Sequence, residues 1–160
     1  MDIQLIPGFS QPETIRQLFT EYTDFLMEEA PQFRSYLQLQ NYDEEIAHLE
    51  YKYGPPAGRL YLALVNGEPA GCIALRPLEG RRCEMKRLYV RPAFRGYGLG
   101  RLLTERILAD ARAIGYGEVL LDTFPFLHQA LTMYRHMGFR EIGRYNDSPL
   151  EETMFLGLTL

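Results

Sequence analysis

A strand that runs without a linker into a glycine-rich turn, and from there into a helix, is the feature that most constrains how this chain can fold. Residues 90–101 read Val-Arg-Pro-Ala-Phe-Arg-Gly-Tyr-Gly-Leu-Gly-Arg. Three glycines alternate in this segment: Gly96, Gly98 and Gly100. Glycine lets the backbone turn tightly, and the first N–H groups of the new helix have no partner within it. With the helix dipole and the flanking Arg95 and Arg101, these groups predict a cradle for a pyrophosphate.

The two commonest phosphate-binding motifs do not fit this segment. A dinucleotide fingerprint, Gly-x-Gly-x-x-Gly, would need glycine at position 101, where the chain has Arg101. The sequence also lacks the Gly-Lys-Ser/Thr of nucleoside-triphosphate sites. The segment therefore argues against a Rossmann dinucleotide site and against a nucleoside-triphosphate site.

Three strands are predicted before the turn and a helix after it. The strands are residues 60–65, 70–75 and 83–90, with a tight turn at Asn66-Gly67 and another near Gly80. If residues 77–81 form the second turn, Cys72 lies opposite Arg87 and Cys83 opposite Arg76, so no disulfide is expected. Apolar residues then recur at helical period from Gly98 to Ile114, and Gly115 ends that helix.

The rest of the chain supplies flanking helices and strands. A strand over residues 2–6 is followed by Ser10-Gln-Pro-Glu13, a predicted capping box for a helix to Met27. A connection over 28–41 leads to a second helix, Asp43–Tyr53, and a strand (118–124), a helix (128–137) and two strands (140–145 and 153–160) follow the central helix. The chain predicts one mixed α/β domain over residues 1–160. About seven mostly antiparallel strands, one central parallel β-α-β crossover and four helices are expected.

Charge is distributed unevenly along the chain. Residues 76–112 hold 10 basic and 4 acidic side chains, although the whole chain has 17 and 21. This local excess indicates an anion site or, alternatively, a solvated basic face. The acidic pI of about 5.4 argues against a nucleic-acid binder. Neither a membrane span nor a signal peptide is recognisable, so a cytoplasmic protein is expected. The cysteines and histidines lack metal-ligand spacing, and no metal site is expected.

The segment Arg95-Gly-Tyr-Gly-Leu-Gly100 resembles the acetyl-CoA signature Arg/Gln-x-x-Gly-x-Gly/Ala of the GNAT superfamily of N-acetyltransferases. The resemblance includes the preceding Leu-Tyr-Val-Arg-Pro, the helix Gly-Arg-Leu-Leu-Thr-Glu-Arg-Ile-Leu and the downstream Leu-Thr-Met-Tyr-Arg-His-Met-Gly-Phe. It covers residues 58–145 well. It implies a GNAT-like fold, in which the strand ending at Val90 splays from the next parallel strand and the gap receives the pantetheine arm.

The same resemblance implies a set of residues for the cosubstrate acetyl-CoA. Backbone groups at Leu88 and Val90 would pair with the pantetheine, and the turn would hold the pyrophosphate. The expected cosubstrate-binding residues are Leu88, Tyr89, Val90, Arg95, Gly96, Tyr97, Gly98, Leu99, Gly100 and Arg101. One departure is that Leu127 stands where many members have an asparagine that contacts the pantetheine.

Two catalytic residues are implied by the resemblance. Glu84 matches the general base of the histone-acetylating branch, and its alternative is a structural pairing with Lys86, two residues along the same strand face. Tyr134 matches the tyrosine that assists the departing thiolate, and its alternative is a core aromatic. The Val90 N–H is the implied donor to the oxyanion.

The resemblance leads to an acetyl-CoA-dependent N-acetyltransferase for a primary amine of a small molecule. The alternatives are a protein or peptide acetyltransferase and a non-catalytic acyl-CoA sensor. Phe25, Tyr36 and the loop 145–149 are expected near the acceptor amine. No nucleic acid or membrane partner is expected, and the resemblance admits a homodimer.

Overall fold

The computed structural model describes all residues 1–160, with a seven-stranded sheet through its centre. The strands are β1 (Ile3–Pro7), β2 (Arg59–Val65), β3 (Glu68–Pro77), β4 (Arg82–Val90), β5 (Glu118–Thr123), β6 (Arg140–Glu141) and β7 (Met154–Thr159). Their order is β1-β2-β3-β4-β5-β7-β6, and only β4 and β5 are parallel. The predicted mixed α/β fold with one central crossover is confirmed.

Six α-helices flank the sheet, four of them seven or more residues long. They are α1 (Pro12–Glu29), α2 (Phe33–Leu39), α3 (Tyr42–Ala47), α4 (Leu49–Tyr53), α5 (Leu99–Ile114) and α6 (His128–His136). The segment expected to be a connection therefore contains α2. The helix expected over Asp43–Tyr53 is divided at His48, whose φ of −138° and ψ of 71° are not helical.

The predicted capping box at Ser10 is wrong. Ser10 lies in a 3₁₀ turn and donates its hydroxyl to the Pro7 carbonyl at 2.8 Å, so it cannot cap α1. The helix begins instead at Pro12, a residue whose fixed φ and missing N–H suit a first turn. The predicted strand over 140–145 is also shorter, since only Arg140 and Glu141 form a ladder with β7.

The two faces of the sheet have separate apolar cores. On one face, α5 and α6 pack through Leu103, Ile107 and Tyr134 against strand residues such as Val119 and Leu121. On the other face, α1 and α4 pack against β2 and β3. The alternation of side chains along β4 and β5 assigns Cys83 and Met85 to the first face and Glu84 and Lys86 to the second.

The meander of β2, β3 and β4 contains a bulge that the sequence did not indicate. Cys83 pairs with Pro77, not with Arg76, because β3 continues through Pro77 before the turn, and beyond the bulge Cys72 pairs with Tyr89, not with Arg87. The register shifts between Cys72 and Ala74 because Arg87 adopts a φ of +61°, which inserts an extra residue into β4. Both cysteines are buried free thiols.

A buried ion pair stabilises this bulge. The Arg87 guanidinium donates to both oxygens of Glu45 on α3, through Nε and Nη2, each at 2.9 Å. Glu45 also accepts from Lys52 Nζ at 2.9 Å and from the Tyr53 hydroxyl at 2.8 Å. Both members of the pair are about 95% buried. Burial opposes ionisation, but the charge and hydrogen bonds of Arg87, together with Lys52 and Lys86, hold the pKa of Glu45 well below its usual range.

We expect Glu45→Gln to lower the free energy of unfolding by about 3 kcal/mol near neutral pH, because it leaves the Arg87 charge buried without a counterion. Urea unfolding measures this loss. Glu50→Gln is the control, since Glu50 is exposed on the adjacent α4 and its change should stay within about 0.5 kcal/mol.

The same comparison has a defined pH dependence. The lowered pKa of Glu45 means that its stabilisation is complete above the unfolded-state pKa of about 4.3 and is lost as the pH falls below it. The difference in the free energy of unfolding between the wild type and Glu45→Gln should therefore become smaller below about pH 4. A difference that stays constant as the pH falls below about 4, or that is absent at pH 7, would contradict the stabilising role of the pair.

Candidate active site

The two parallel strands separate and open a cavity in the sheet. Pairing of β4 with β5 ends at Glu84 opposite Leu120, although β4 continues to Val90. Beyond that point the facing edges of the two strands have no strand partner. A cavity of about 690 Å³ lies here, bounded by the strand ends, the glycine-rich turn, α1, α2 and the β5–α6 connection.

The glycine-rich turn presents a row of free donors to this cavity. The backbone N–H groups of residues 96–101 find no acceptor within the chain. Gly96 and Gly98 have φ values of +89° and +78°, and a Cβ at either position would meet no protein atom within 4 Å. Arg95 and Arg101 are exposed beside the turn. A positively charged helix end with unpaired N–H groups is suited to a pyrophosphate.

All but one of the residues predicted to bind the cosubstrate line the cavity. Those that do are Leu88, Tyr89, Val90, Arg95, Gly96, Gly98, Leu99, Gly100 and Arg101. Tyr97 does not, because its side chain turns out to solvent and is 53% exposed. Leu127 lines the cavity together with His128 and Gln129.

Tyr134 points its hydroxyl towards the cavity. Its ring packs on Phe139 with centroids 5.6 Å apart, yet its hydroxyl makes no hydrogen bond within the chain and is not sealed from the cavity. Burial raises the pKa of Tyr134 well above its usual value, so the phenol keeps its proton at neutral pH. A protonated donor without a partner is suited to an incoming electronegative atom.

Glu84 lies outside the cavity lining and is only 2% exposed. Its Oε1 accepts from Arg76 Nε at 2.7 Å and its Oε2 from the Tyr145 hydroxyl at 2.6 Å. Burial opposes ionisation, but Lys86, Arg76 and Tyr145 together lower the pKa of Glu84. The geometry corresponds to structural pairing and does not favour a general base. The main partner is Arg76, however, since Lys86 Nζ is 4.0 Å away.

The other end of the cavity contains two charged residues, of which the sequence indicated Lys86 only as a partner for Glu84 and did not indicate Asp122 at all. Lys86 and Asp122 lie two residues beyond the last paired positions of β4 and β5, and both line the cavity. The Lys86 ammonium donates to Gln40 Oε1 at 2.6 Å, and the Tyr36 hydroxyl donates to Asp122 Oδ2. The prediction that Lys86 shares a strand face with Glu84 agrees with the alternation along β4, but no local signal indicates the contacts with Tyr36 and Gln40.

Aromatic side chains form the walls around these polar groups. Phe25 and Tyr36, both expected near the acceptor, line the cavity with Tyr22, Phe33 and Phe126. The loop 145–149 does not line the cavity. It contacts a residue of the cavity wall, because Asn146 Nδ2 donates to Asp122 Oδ2 at 2.8 Å.

No group of three or more His, Cys, Asp or Glu side chains is arranged to hold a metal ion. None of the helices combines the length and the apolar character that crossing a bilayer requires.

Comparisons with known proteins agree with this geometry. The sequence model of the Acetyltransferase (GNAT) family matches residues 15–139. A Schizosaccharomyces pombe protein named as an uncharacterized N-acetyltransferase is 36% identical, over 88% of this chain and 87% of its own length.

Solved structures show the same fold. An acetyltransferase from Streptococcus agalactiae superposes with a TM-score of 0.78 at 22% identity, covering 99% of this chain and 98% of its own. The PaiA N-acetyltransferase from Thermoplasma acidophilum, solved in complex with coenzyme A, superposes with a TM-score of 0.76 at 15% identity, and the match covers 100% of both chains.

We expect Gly98→Val to weaken coenzyme A binding at least about tenfold, because its side chain enters the open space in front of the free N–H groups. Isothermal titration calorimetry measures the affinity. Gly67→Val is a matched control, because Gly67 has a φ of +81° and equally open surroundings in the β2–β3 turn.

Both variants should lose about 1–2 kcal/mol of stability, because valine is strained in the left-handed conformation that both glycines adopt. Only Gly98→Val should lose affinity for coenzyme A. Equal affinities in the two variants would contradict the cradle.

Proposed function

Because this chain belongs to the GNAT family of acetyltransferases, we propose that it transfers the acetyl group of acetyl-CoA to a primary amine of a small molecule. The chain is an acyltransferase. The observation that carries the finer proposal is a single cavity that is lined by Gly96 and residues 98–101, whose N–H groups are free, and by Tyr134, whose hydroxyl has no partner. Helices α1 and α2 wall the far end of that cavity with aromatic rings, which favours a small acceptor over an extended protein segment.

The residues present fit acetyl-CoA. The turn at 96–101 would bind the pyrophosphate, and the unpaired edge of β4 at Leu88 and Val90 would pair with the amides of the pantetheine. This alignment would direct the thioester into the gap between β4 and β5, towards Tyr134 of α6. The neutral amine attacks the thioester carbonyl, so that a C–N bond forms and the C–S bond breaks; the nitrogen gives up one proton to solvent, and the thiolate leaves and takes up a proton as coenzyme A. In this proposal the Val90 N–H stabilises the oxyanion.

Tyr134 would assist the leaving group. A thiol has a pKa of about 8.5, far below that of this buried phenol, so Tyr134 can donate a hydrogen bond to the thiolate without being ionised itself. A sensor that only binds acyl-CoA has no use for a donor at this position.

Release of coenzyme A thiol in the presence of an amine panel tests the proposed function. We expect turnover with at least one amine, and Tyr134→Phe should slow kcat at least about tenfold while binding coenzyme A and melting normally. Tyr116→Phe is the control: its hydroxyl donates to the Ala57 carbonyl at 2.7 Å and does not line the cavity. This variant should lose about 1 kcal/mol of stability and keep its kcat.

Binding of acetyl-CoA without thiol release on any amine would support the sensor instead. Normal kcat in Tyr134→Phe would withdraw Tyr134 from the reaction and leave it as a core aromatic.

For Glu84 we propose a positioning role. Its two oxygens hold Arg76 and Tyr145, and Tyr145 precedes Asn146, the residue that contacts Asp122 in the cavity wall. A carboxylate with a lowered pKa is ionised throughout the neutral range and gains little from accepting a proton.

Glu84→Gln should therefore lower kcat/KM by a similar factor from about pH 6.5 to pH 9, with a lower melting temperature, because the defect is one of geometry. The pH profile of kcat/KM measures this. Tyr145→Phe removes only the hydrogen bond from the Tyr145 hydroxyl to Glu84. It should lower kcat/KM less than Glu84→Gln does, and again by a similar factor at every pH. A loss of 10²–10⁴-fold at neutral pH that recovers as the pH rises would instead assign the general base to Glu84.

A further inference from the structure

Two oppositely charged side chains face the acceptor end of the cavity without contacting each other. Lys86 and Asp122 occupy equivalent positions on the diverging strands, two residues beyond the Glu84–Leu120 pair. Helix α2 and the residue that follows it contact both, through Tyr36 at Asp122 and Gln40 at Lys86. No ion pair within 4.0 Å joins the two side chains. They are therefore held on the same face of the sheet with a gap between them.

Lys86 is a nearly buried cation without a carboxylate of its own. Its side chain is 6% exposed and makes one hydrogen bond, to the neutral amide of Gln40. The nearest carboxylate oxygen, Glu84 Oε1, is 4.0 Å away and already accepts from Arg76 at 2.7 Å. Burial, followed by the neighbouring Arg87, lowers the pKa of Lys86 to about 8, so the ammonium is mostly charged at pH 7. Two of its three N–H groups are left for an anion.

Asp122 offers the complementary group. Both of its hydrogen bonds, from Tyr36 and Asn146, end on Oδ2, whereas Oδ1 has no partner in the chain. It forms no ion pair, and it is only partly buried in the cavity wall. A free carboxylate oxygen beside the thioester end of the cavity is suited to hold an ammonium before it is deprotonated.

The remaining charged groups near this end of the cavity are bonded to one another and leave one net positive charge, since three cations share two carboxylates. Arg87 is bonded to Glu45, which also accepts from Lys52, and Glu84 is bonded to Arg76. A ligand carrying only positive charge would satisfy Asp122 and leave Lys86 unpaired beside it. A ligand with both charges satisfies both side chains at once.

From this arrangement, which rests on the proposed function, we propose that the acceptor is a free amino acid with an apolar or aromatic side chain. Its ammonium would bind to Asp122 and its carboxylate to Lys86. The aromatic walls at Phe25, Phe33 and Phe126 would contact the side chain of the acceptor. Lys86 is in this proposal a specificity-determining residue, and Asp122 binds the amine that reacts.

Matched acceptor pairs test the proposal. Initial rates of acetyl transfer at pH 7 are compared for L-phenylalanine and L-leucine and for their carboxamides, which keep the amine and lose the negative charge. We expect kcat/KM for the acids to exceed that for the amides at least about tenfold, the effect of a hydrogen-bonded charge in a buried site. The amine of an amide loses its proton more readily, so intrinsic reactivity works against this result.

Two substitutions test whether Lys86 and Asp122 cause the preference for acids over amides. Lys86→Met keeps the length of the side chain and should reduce the ratio of acid to amide to within about threefold, with unchanged affinity for coenzyme A. Lys52→Met is the control, since Lys52 is a cation of the adjacent Glu45 cluster that does not line the cavity, and it should keep the full ratio. Asp122→Asn should lower kcat/KM for acids and amides by the same factor, because both carry the amine.

The outcomes separate this inference from the proposed function. Acetylation of amides as fast as acids by the wild type overturns the inference and leaves an N-acetyltransferase. A ratio that survives Lys86→Met overturns the role of Lys86. If no amine is acetylated, the proposed function fails. Calorimetric titration of the same acids and amides into protein loaded with coenzyme A then tests the inference. Tighter binding of the acids supports it, and equal binding of acids and amides overturns it. If Lys86→Met does not fold, the comparison of acid and amide in the wild type decides alone.

Discussion

The buried pair of Arg87 and Glu45 is the interaction on which the active-site geometry depends. Pairing of β4 with β5 ends at Glu84, and three residues further along β4 the extra residue at Arg87 bends the strand. A left-handed conformation costs a non-glycine residue roughly 1–2 kcal/mol. Four donors on a single carboxylate, with two of them from Arg87, outweigh that cost and fix the side chain that the bulge turns inward. The same pair attaches α3 to the sheet, so the bend of the strand and the placement of the helices are coupled.

The separation of the strands leaves backbone groups of β4 without a sheet partner, and the structure tolerates this because the gap is open to ligand and solvent. An unsatisfied buried N–H or C=O costs about 1–3 kcal/mol. If the cavity were closed and apolar, each unpaired backbone group of β4 would add a cost of this size. At one end the six free N–H groups of the glycine-rich turn extend the row of unused donors. At the other end the polar groups are side chains held by α2. The cavity thus has a backbone half suited to a common cosubstrate and a side-chain half suited to a particular acceptor.

Local patterns predicted the backbone half well and the side-chain half poorly. The Asn66-Gly67 turn, the glycine-rich turn and the period of α5 each follow from residues close in sequence, and the structure has all three where they were expected. The bulge was not visible, because arginine is a poor indicator of a positive φ. Contacts such as Tyr36 with Asp122, which are 86 residues apart, depend on how α2 packs on the sheet, and α2 itself was read as a connection. The preference for Arg76 over Lys86 as the partner of Glu84 likewise requires the exact register of β3 and β4.

The basic window over residues 76–112 has a different meaning in three dimensions than it has in sequence. Read along the chain, its excess of positive charge predicts one anion site. In the fold its members separate: Arg76 and Arg87 are neutralised by buried glutamates that hold elements together, and Arg101 pairs with Glu105 on the surface of α5. Only two cavity-lining cations have no bonded carboxylate, Arg95 beside the glycine-rich turn and Lys86 at the opposite end. A single excess of charge in the sequence therefore becomes two separate cations in the cavity wall, and we propose the pyrophosphate as the partner of the first and the carboxylate of the acceptor as the partner of the second.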